Sequence, residues 1–322
     1  MIIPMVLSPN IFKFSKEVTN DDMIKYANLT NLLANIQRQT LVILDKQGFL
    51  SAEIFQNIYN IVDDNIKLKL RLLFRSIENE HSQKLEIRNN FEGEIDQVCG
   101  IFLSLLNNNN NHIGIYAENI LCAESSCQNC ITKYTPNNSC VNITTFDNDA
   151  LSKEINKSNI IIDNDYNIET FKNLILNPFI ENTNTIIVYD EQISNLNKNA
   201  SDIADNFKRN LHYWTDYFYS TNNNLSLKFY TTIKDIGNKY QTKRKLNELA
   251  NEIRQKYNKN DFDIKIVSEK LHERYFCSDK FIFSCDKGID IVNSSGALIE
   301  NIHLSILEKE ESNKIRTKIK SM

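Results

Sequence analysis

A chain of 322 residues with a formal net charge of −4 has room for about two domains of ordinary size. Hydrophobic residues make up 41% and charged residues 24%, a balance that allows packed cores and excludes a disordered chain. The acidic balance excludes a broadly basic nucleic-acid coat and leaves room for a local basic groove.

The opening segment Met1–Leu7 is short and carries no basic residue, so no secretory leader is expected. No apolar stretch is long enough to span a bilayer. The cysteines number seven, an odd count that points to reduced thiols or metal ligands rather than a disulfide framework. Together these readings lead to the expectation of a cytoplasmic protein.

Residues 1–110 read as a mostly helical region with a few strands. Thr19-Asn20-Asp21-Asp22 is a helix start, and Met23, Tyr26, Ala27, Leu29, Leu32, Leu33 and Ile36 follow near helical spacing. Leu41–Leu44 reads as a short strand ending in the turn residues Asp45-Lys46-Gln47-Gly48. Ser51 is the expected cap of the next helix. Further helices are predicted over 68–86 and 95–106. Asp45, after a strand, and Asp163 with Asp165, after another, are the candidate acids for a two-metal nuclease centre. The plainer reading of this region is a helical sensing or dimerisation domain.

Residues 111–165 read as a connecting segment that contains strands at 112–116 and 159–163. Between them Cys122-x4-Cys127-x2-Cys130-x9-Cys140 supplies four thiolates, enough for a tetrahedral structural Zn²⁺. Zinc ranks ahead of an iron–sulfur cluster, because the last cysteine comes too soon for the plant-type spacing. Reduced cysteines in a surface loop are the alternative. Cys277 and Cys285 read as core residues.

Residues 166–322 alternate strand and helix. Helices are predicted over 170–180, 204–218 and 242–257. Strands are predicted at 185–190, 225–231, 262–267, around His272, after Lys280 and at 302–307. From Lys309 the chain is a charged tail compatible with a helix. This alternation predicts an α/β fold with a mixed, mainly parallel sheet covered by helices. In a strand, His272 and Arg274 would point to the same side.

The last part resembles the phospholipase D-like superfamily, most closely the single-motif type at the carboxy end of MIT-domain proteins and in many bacterial proteins. The residues that carry the resemblance are Tyr189-Asp190 ending a strand, His272-x-Arg274-Tyr275, Asp279 after four further residues, and Gly288-Ile289-Asp290. The resemblance covers about 166–322. It implies His272 as the nucleophile that forms a phosphohistidine and Asp279 as a structural acid. Arg274 stands where the catalytic form has lysine. Arginine holds phosphate bidentately and keeps its charge, but it does not replace a compact ammonium at a reacting phosphate. The branch with arginine includes lipid-binding domains without catalysis. Ser284, within a loosely matching Ser284–Gly288, and Asp190 are expected to bind phosphate or orient the histidine.

One motif per chain supplies one histidine, so a catalytic pair requires a homodimer. His212, on an aromatic helix, and His303 are within-chain alternatives that lack the motif. The resulting expectation is a metal-independent phosphodiesterase, most readily a nuclease acting on nucleic acid or another phosphodiester. By analogy of domain arrangement its setting is a bacterial effector, such as one in defence against phage. The alternative is a catalytically silent phosphate-binding module, and a third is a scaffold whose His-Arg-Tyr strand is satisfied by Asp190 or Asp279.

Overall fold

The apolar runs at the start of the chain and at 41–44 become neighbouring strands of one sheet. The computed structural model describes residues 3–87, 98–107, 112–117, 140–148, 159–162, 168–180, 183–233, 237–299, 302–307 and 309–322. Contacts divide the chain between Lys157 and Ser158. The boundaries expected at 110 and 165 therefore fall inside the units, with strands on either side of each packed into the same sheet.

In the first unit the helices accompany an all-parallel sheet, to which the few strands of residues 1–110 belong. Its strands are β1 (Ile3–Leu7), β2 (Thr40–Asp45), β3 (Ser82–Leu85), β4 (Ile113–Tyr116) and β5 (Cys140–Asn142). They lie in the order β3-β2-β1-β4-β5, every pair parallel. Met5, Val6 and Leu7 of the central strand are fully buried, as a sheet covered on both faces requires. The helices α1 (Asn20–Gln39), α2 (Phe49–Tyr59), α3 (Asp64–Glu80) and α4 (Val98–Asn107) lie in the connections from β1 to β4.

Thr19 and Asp22 form a reciprocal capping box at the start of α1. The Thr19 N–H donates to Asp22 Oδ2 at 3.1 Å, and the Asp22 N–H donates to Thr19 Oγ1 at 3.2 Å. Ser51 does not cap α2. It lies inside the helix, and the Asp45 carboxylate does the capping instead. Asp45 Oδ2 accepts from the Phe49 N–H and Oδ1 from the Leu50 N–H, both at 2.7 Å.

The second unit holds β6 (Asn159–Ile162), β7 (Thr185–Tyr189), β8 (Ser226–Thr231), β9 (Asp263–Ile266), β10 (Tyr275–Ser278), β11 (Ile282–Cys285) and β12 (Ile302–Ile306). Their order is β6-β12-β11-β10-β7-β8-β9. The sheet is mixed, as expected, but not mainly parallel. Only β7/β8 and β8/β9 are parallel, and the other four pairings are antiparallel. Connection length decides the consecutive pairs at either extreme. Helices separate β7, β8 and β9, whereas residues 279–281 alone join β10 to β11, and so short a link closes only an antiparallel pair.

A helical stretch of α5 (Ile168–Phe171), a wider π turn at Lys172–Leu176 and α6 (Asn177–Ile180) precedes β7. The helices α7 (Asp205–Thr221) and α8 (Lys239–Tyr257) follow β7 and β8. Trp214 of α7 is fully buried against Phe171, Phe218 and Phe276 on one side of the sheet. The last helix, α9 (Lys309–Ser321), packs Ile315 and Ile319 with Tyr189, Tyr275, Cys277 and Ile282 on the other.

Candidate functional site

β7 and β8 end at the same edge of the second sheet, and β10 runs antiparallel to β7 and begins there. Carboxyl ends of parallel strands are where α/β sheets take ligands. Asp190 follows β7 directly and is fully buried. Its Oδ1 accepts from the Gln192 N–H at 2.8 Å and its Oδ2 from the Ile289 N–H at 2.9 Å. Arg274, just before β10, places Nε 3.5 Å from Asp190 Oδ1. Burial pushes the Asp190 carboxyl up to about 6, against the pull of the two N–H donors and the Arg274 guanidinium.

Arg274 is held at a second point. Its Nη1 donates to the carbonyl of Asp286. Its Nη2 makes no hydrogen bond among the described residues, and the side chain is 22% exposed. Gly288 completes the knot with φ +60°. A Cβ there would lie 2.0 Å from Asp190 Oδ2 and 2.5 Å from Arg274 Cδ. Only glycine fits both the backbone and the space.

One face of α7 grips the loop that carries Gly288. Asn206 Nδ2 donates to Asp290 Oδ2 at 2.6 Å. Asn210 Nδ2 donates to Asp290 Oδ1 at 2.9 Å and to the Val292 carbonyl at 3.0 Å, and its Oδ1 accepts from the Val292 N–H at 3.0 Å. Trp214 Nε1 donates to the Ile289 carbonyl at 2.9 Å. These residues are spaced i, i+4, i+8, one above another on the helix. In the sequence the only signal of this grip is that spacing of Asn, Asn and Trp.

Thr231 ends β8, one step past the Tyr189–Tyr230 pair and so beside Asp190. It is fully buried, and its Oγ1 has no hydrogen-bond partner among the described residues. Lys270 Nζ sits 3.0 Å from Glu191 Oε2 at the same edge.

The structure joins Asp190 to Arg274 but not the other expected members. His272 is exposed on a bend, because β10 begins only at Tyr275. The strand alternation expected to align His272 with Arg274 therefore does not apply. No hydrogen bond or ion pair holds His272 among the described residues. Asp279 lies at the far end of β10. It accepts from the Asn184 N–H at 2.9 Å, and its own N–H donates to Thr183 Oγ1 at 3.1 Å, so it ties the hairpin to the start of β7. Ser284 is buried within β11 opposite Tyr275, on the side of the sheet covered by α9.

His212 is 3.5 Å from Glu252 of α8, and burial lowers its pKa. His303 is exposed on β12, and its N–H donates to Asp286 Oδ1 at 3.0 Å.

Of the cysteine set, Cys122, Cys127 and Cys130 lie outside the described residues. Cys140 begins β5, and burial pushes its thiol up to about 11. Among the described residues no group of three or more His, Cys, Asp or Glu side chains is placed to hold a metal. Asp163 and Asp165 also lie outside the described residues, and both carboxylate oxygens of Asp45 are taken by the start of α2.

The sequence matches no model of a known protein family and no curated protein. No described helix is long and apolar enough to cross a membrane.

Proposed function

We propose that the second unit is a phospholipase D-like module that recognises a phosphate group, on nucleic acid, nucleotide or lipid headgroup, without turning it over. The observation that carries this reading is the way Arg274 is held. The Asp286 carbonyl fixes Nη1, the Asp190 carboxylate pairs with the guanidinium from 3.5 Å without a hydrogen bond to Nε, and Nη2 remains for a ligand oxygen. A pre-positioned guanidinium suits phosphate recognition. Phosphohistidine chemistry asks for more: a nucleophile oriented by a base or acid, and a second group to protonate the leaving oxygen. His272 has no such orienting partner among the described residues. A cytoplasmic setting, where thiols stay reduced, suits the buried free Cys277 and Cys285.

Calorimetric titration with inorganic phosphate and with a nucleoside monophosphate tests the reading. Wild type is expected to bind, Arg274→Ala to lose binding, and His272→Ala to keep most of it. Equal binding by wild type and Arg274→Ala would sink it.

The second reading is a homodimeric phosphodiesterase, most readily a nuclease. It is favoured by the exposure of His272 two residues from Arg274, where a second copy could supply the partner histidine. Cleavage of DNA or RNA in EDTA, abolished by His272→Ala, would establish it in place of the first.

A further inference from the structure

The start of α8 carries a feature that the Arg274 site does not use. β8 leads through residues 232–238 into α8, so the helix begins at the edge where β7 and β8 end. Gln241 in its first turns donates to the carbonyl of Ala200, in the loop that follows β7. β8 lies two strands from β10, a separation of about 10 Å across the sheet.

This helix start is built against its own stability. Helix amino termini favour acids, yet the first turn of α8 holds none. Lys239, Lys243 and Arg244 stand there exposed instead. Lys239 and Lys243 are four residues apart and repel each other along one face. Neither makes an ion pair among the described residues. Arg244 is partly answered by Glu248 at 3.5 Å, and Glu248 also takes Lys245 at 2.8 Å.

Among these cations stands Tyr240, which is 85% exposed. Lys243 and Arg244 follow it at i+3 and i+4, so the ring and the cations share a face. An exposed ring flanked by cations is how proteins hold unpaired bases, with the base stacked on the ring and its phosphates on the cations. A duplex hides its base faces and has nothing to stack on such a ring.

We propose that Tyr240, Lys239, Lys243 and Arg244 form a binding surface for single-stranded nucleic acid that continues the Arg274 phosphate site along the same sheet edge. The proposal rests on the phosphate-recognition reading of Arg274 and names its ligand class. Tyr240 stacks a base, and Lys239 and Lys243 contact the phosphates beside it. Arg274 takes a further phosphate of the same strand.

The test is fluorescence anisotropy of the full chain with fluorescein-labelled oligo(dT) over a range of salt, beside calorimetry with thymidine monophosphate. Tyr240→Ala is expected to weaken oligo(dT) binding about 5- to 100-fold, and Tyr240→Phe to keep it. The double variant Lys239→Ala, Lys243→Ala is expected to flatten the slope of log affinity against log salt by about 1.4. Thymidine monophosphate, which reports Arg274, should bind all of these variants as it binds wild type. Wild-type affinity in Tyr240→Ala, or equal competition by duplex DNA, overturns the proposal and leaves the Arg274 reading standing. So does a wild type that binds thymidine monophosphate but not oligo(dT), as a surface for an acidic protein would. Oligo(dT) binding that needs Tyr240 but not Arg274 supports the surface and overturns the Arg274 reading. Binding of neither probe overturns both.

Discussion

Asp190 and Gly288 approach so closely that a single added carbon at Gly288 would sit 2.0 Å from the Asp190 carboxylate. The contact sets the loop after β11 against the end of β7 and leaves Arg274 wedged between them. Gly288→Ala should therefore cost about 3 kcal/mol or more, combining a left-handed backbone with an overpacked site. Gly296 also has positive φ, at +83°, but nothing lies within 4 Å of an added Cβ. Gly296→Ala should cost only about 1 kcal/mol, the backbone part alone. Urea midpoints of the two variants make the comparison, and equal losses would mean that the Asp190 contact is not tight.

Asp190 also gives the second unit a pH dependence of unusual sign for a carboxylate. The folded group titrates at about 6, against an ordinary 3.8. Between those values the folded state keeps a proton that the unfolded chain has lost. Stability therefore falls as pH rises through this window, and the cost is fully present above it. Its size is on the order of 3 kcal/mol. Asp190→Asn removes this contribution. The stability difference, wild type minus variant, should drop as pH is raised from 4 to 6.5, and a flat difference would refute the burial argument.

The legible parts of the fold were those whose residues act locally. Ile186-Ile187-Val188 reads as a buried strand because a parallel strand covered on both faces is apolar throughout, and Leu227-Lys228-Phe229 reads as a strand by its alternation. The parallel sheet of the first unit was missed because its edge strands have no such run. β3 is Ser82-Gln83-Lys84-Leu85, and β5 has only three residues. At the site, Asp190 is legible as the acid that ends an apolar strand and Arg274 through the His272-x-Arg274-Tyr275 motif. Their meeting depends on β10 lying beside β7, a long-range pairing that no local pattern encodes. The resemblance groups Asp279 with them, but the four residues of β10 carry it about 13 Å along the strand, to the opposite edge.

Asn210 is the keystone of the grip that α7 keeps on the Gly288 loop. It is fully buried, and its amide satisfies Asp290 together with both backbone groups of Val292. Asn210→Ala leaves these buried groups without partners and should cost about 3 kcal/mol. Trp214, the only tryptophan in the chain, is one turn along the same helix and reports the event directly. Its emission should shift red at a lower denaturant concentration in the variant, while the native spectrum stays blue-shifted. An unchanged midpoint would show that the loop is held by other contacts.

In the first unit, Asp45 separates a structural acid from a metal ligand. Both of its oxygens are spent on the N–H groups of Phe49 and Leu50, and the residue is fully buried at the end of β2. It anchors a helix whose start has only Gly48 at the usual capping position. Asp45→Ala should lower stability by about 2 kcal/mol, through the lost cap and two unpaired N–H groups. Asp45→Asn, which keeps an acceptor, should recover part of that loss. Far-ultraviolet circular dichroism during urea unfolding makes the measurement, with and without Mg²⁺. A carboxylate that served a metal would behave in the opposite way. Its removal would leave the midpoint in EDTA unchanged or raised, by relief of an uncompensated buried charge, and would abolish any Mg²⁺-dependent stabilisation.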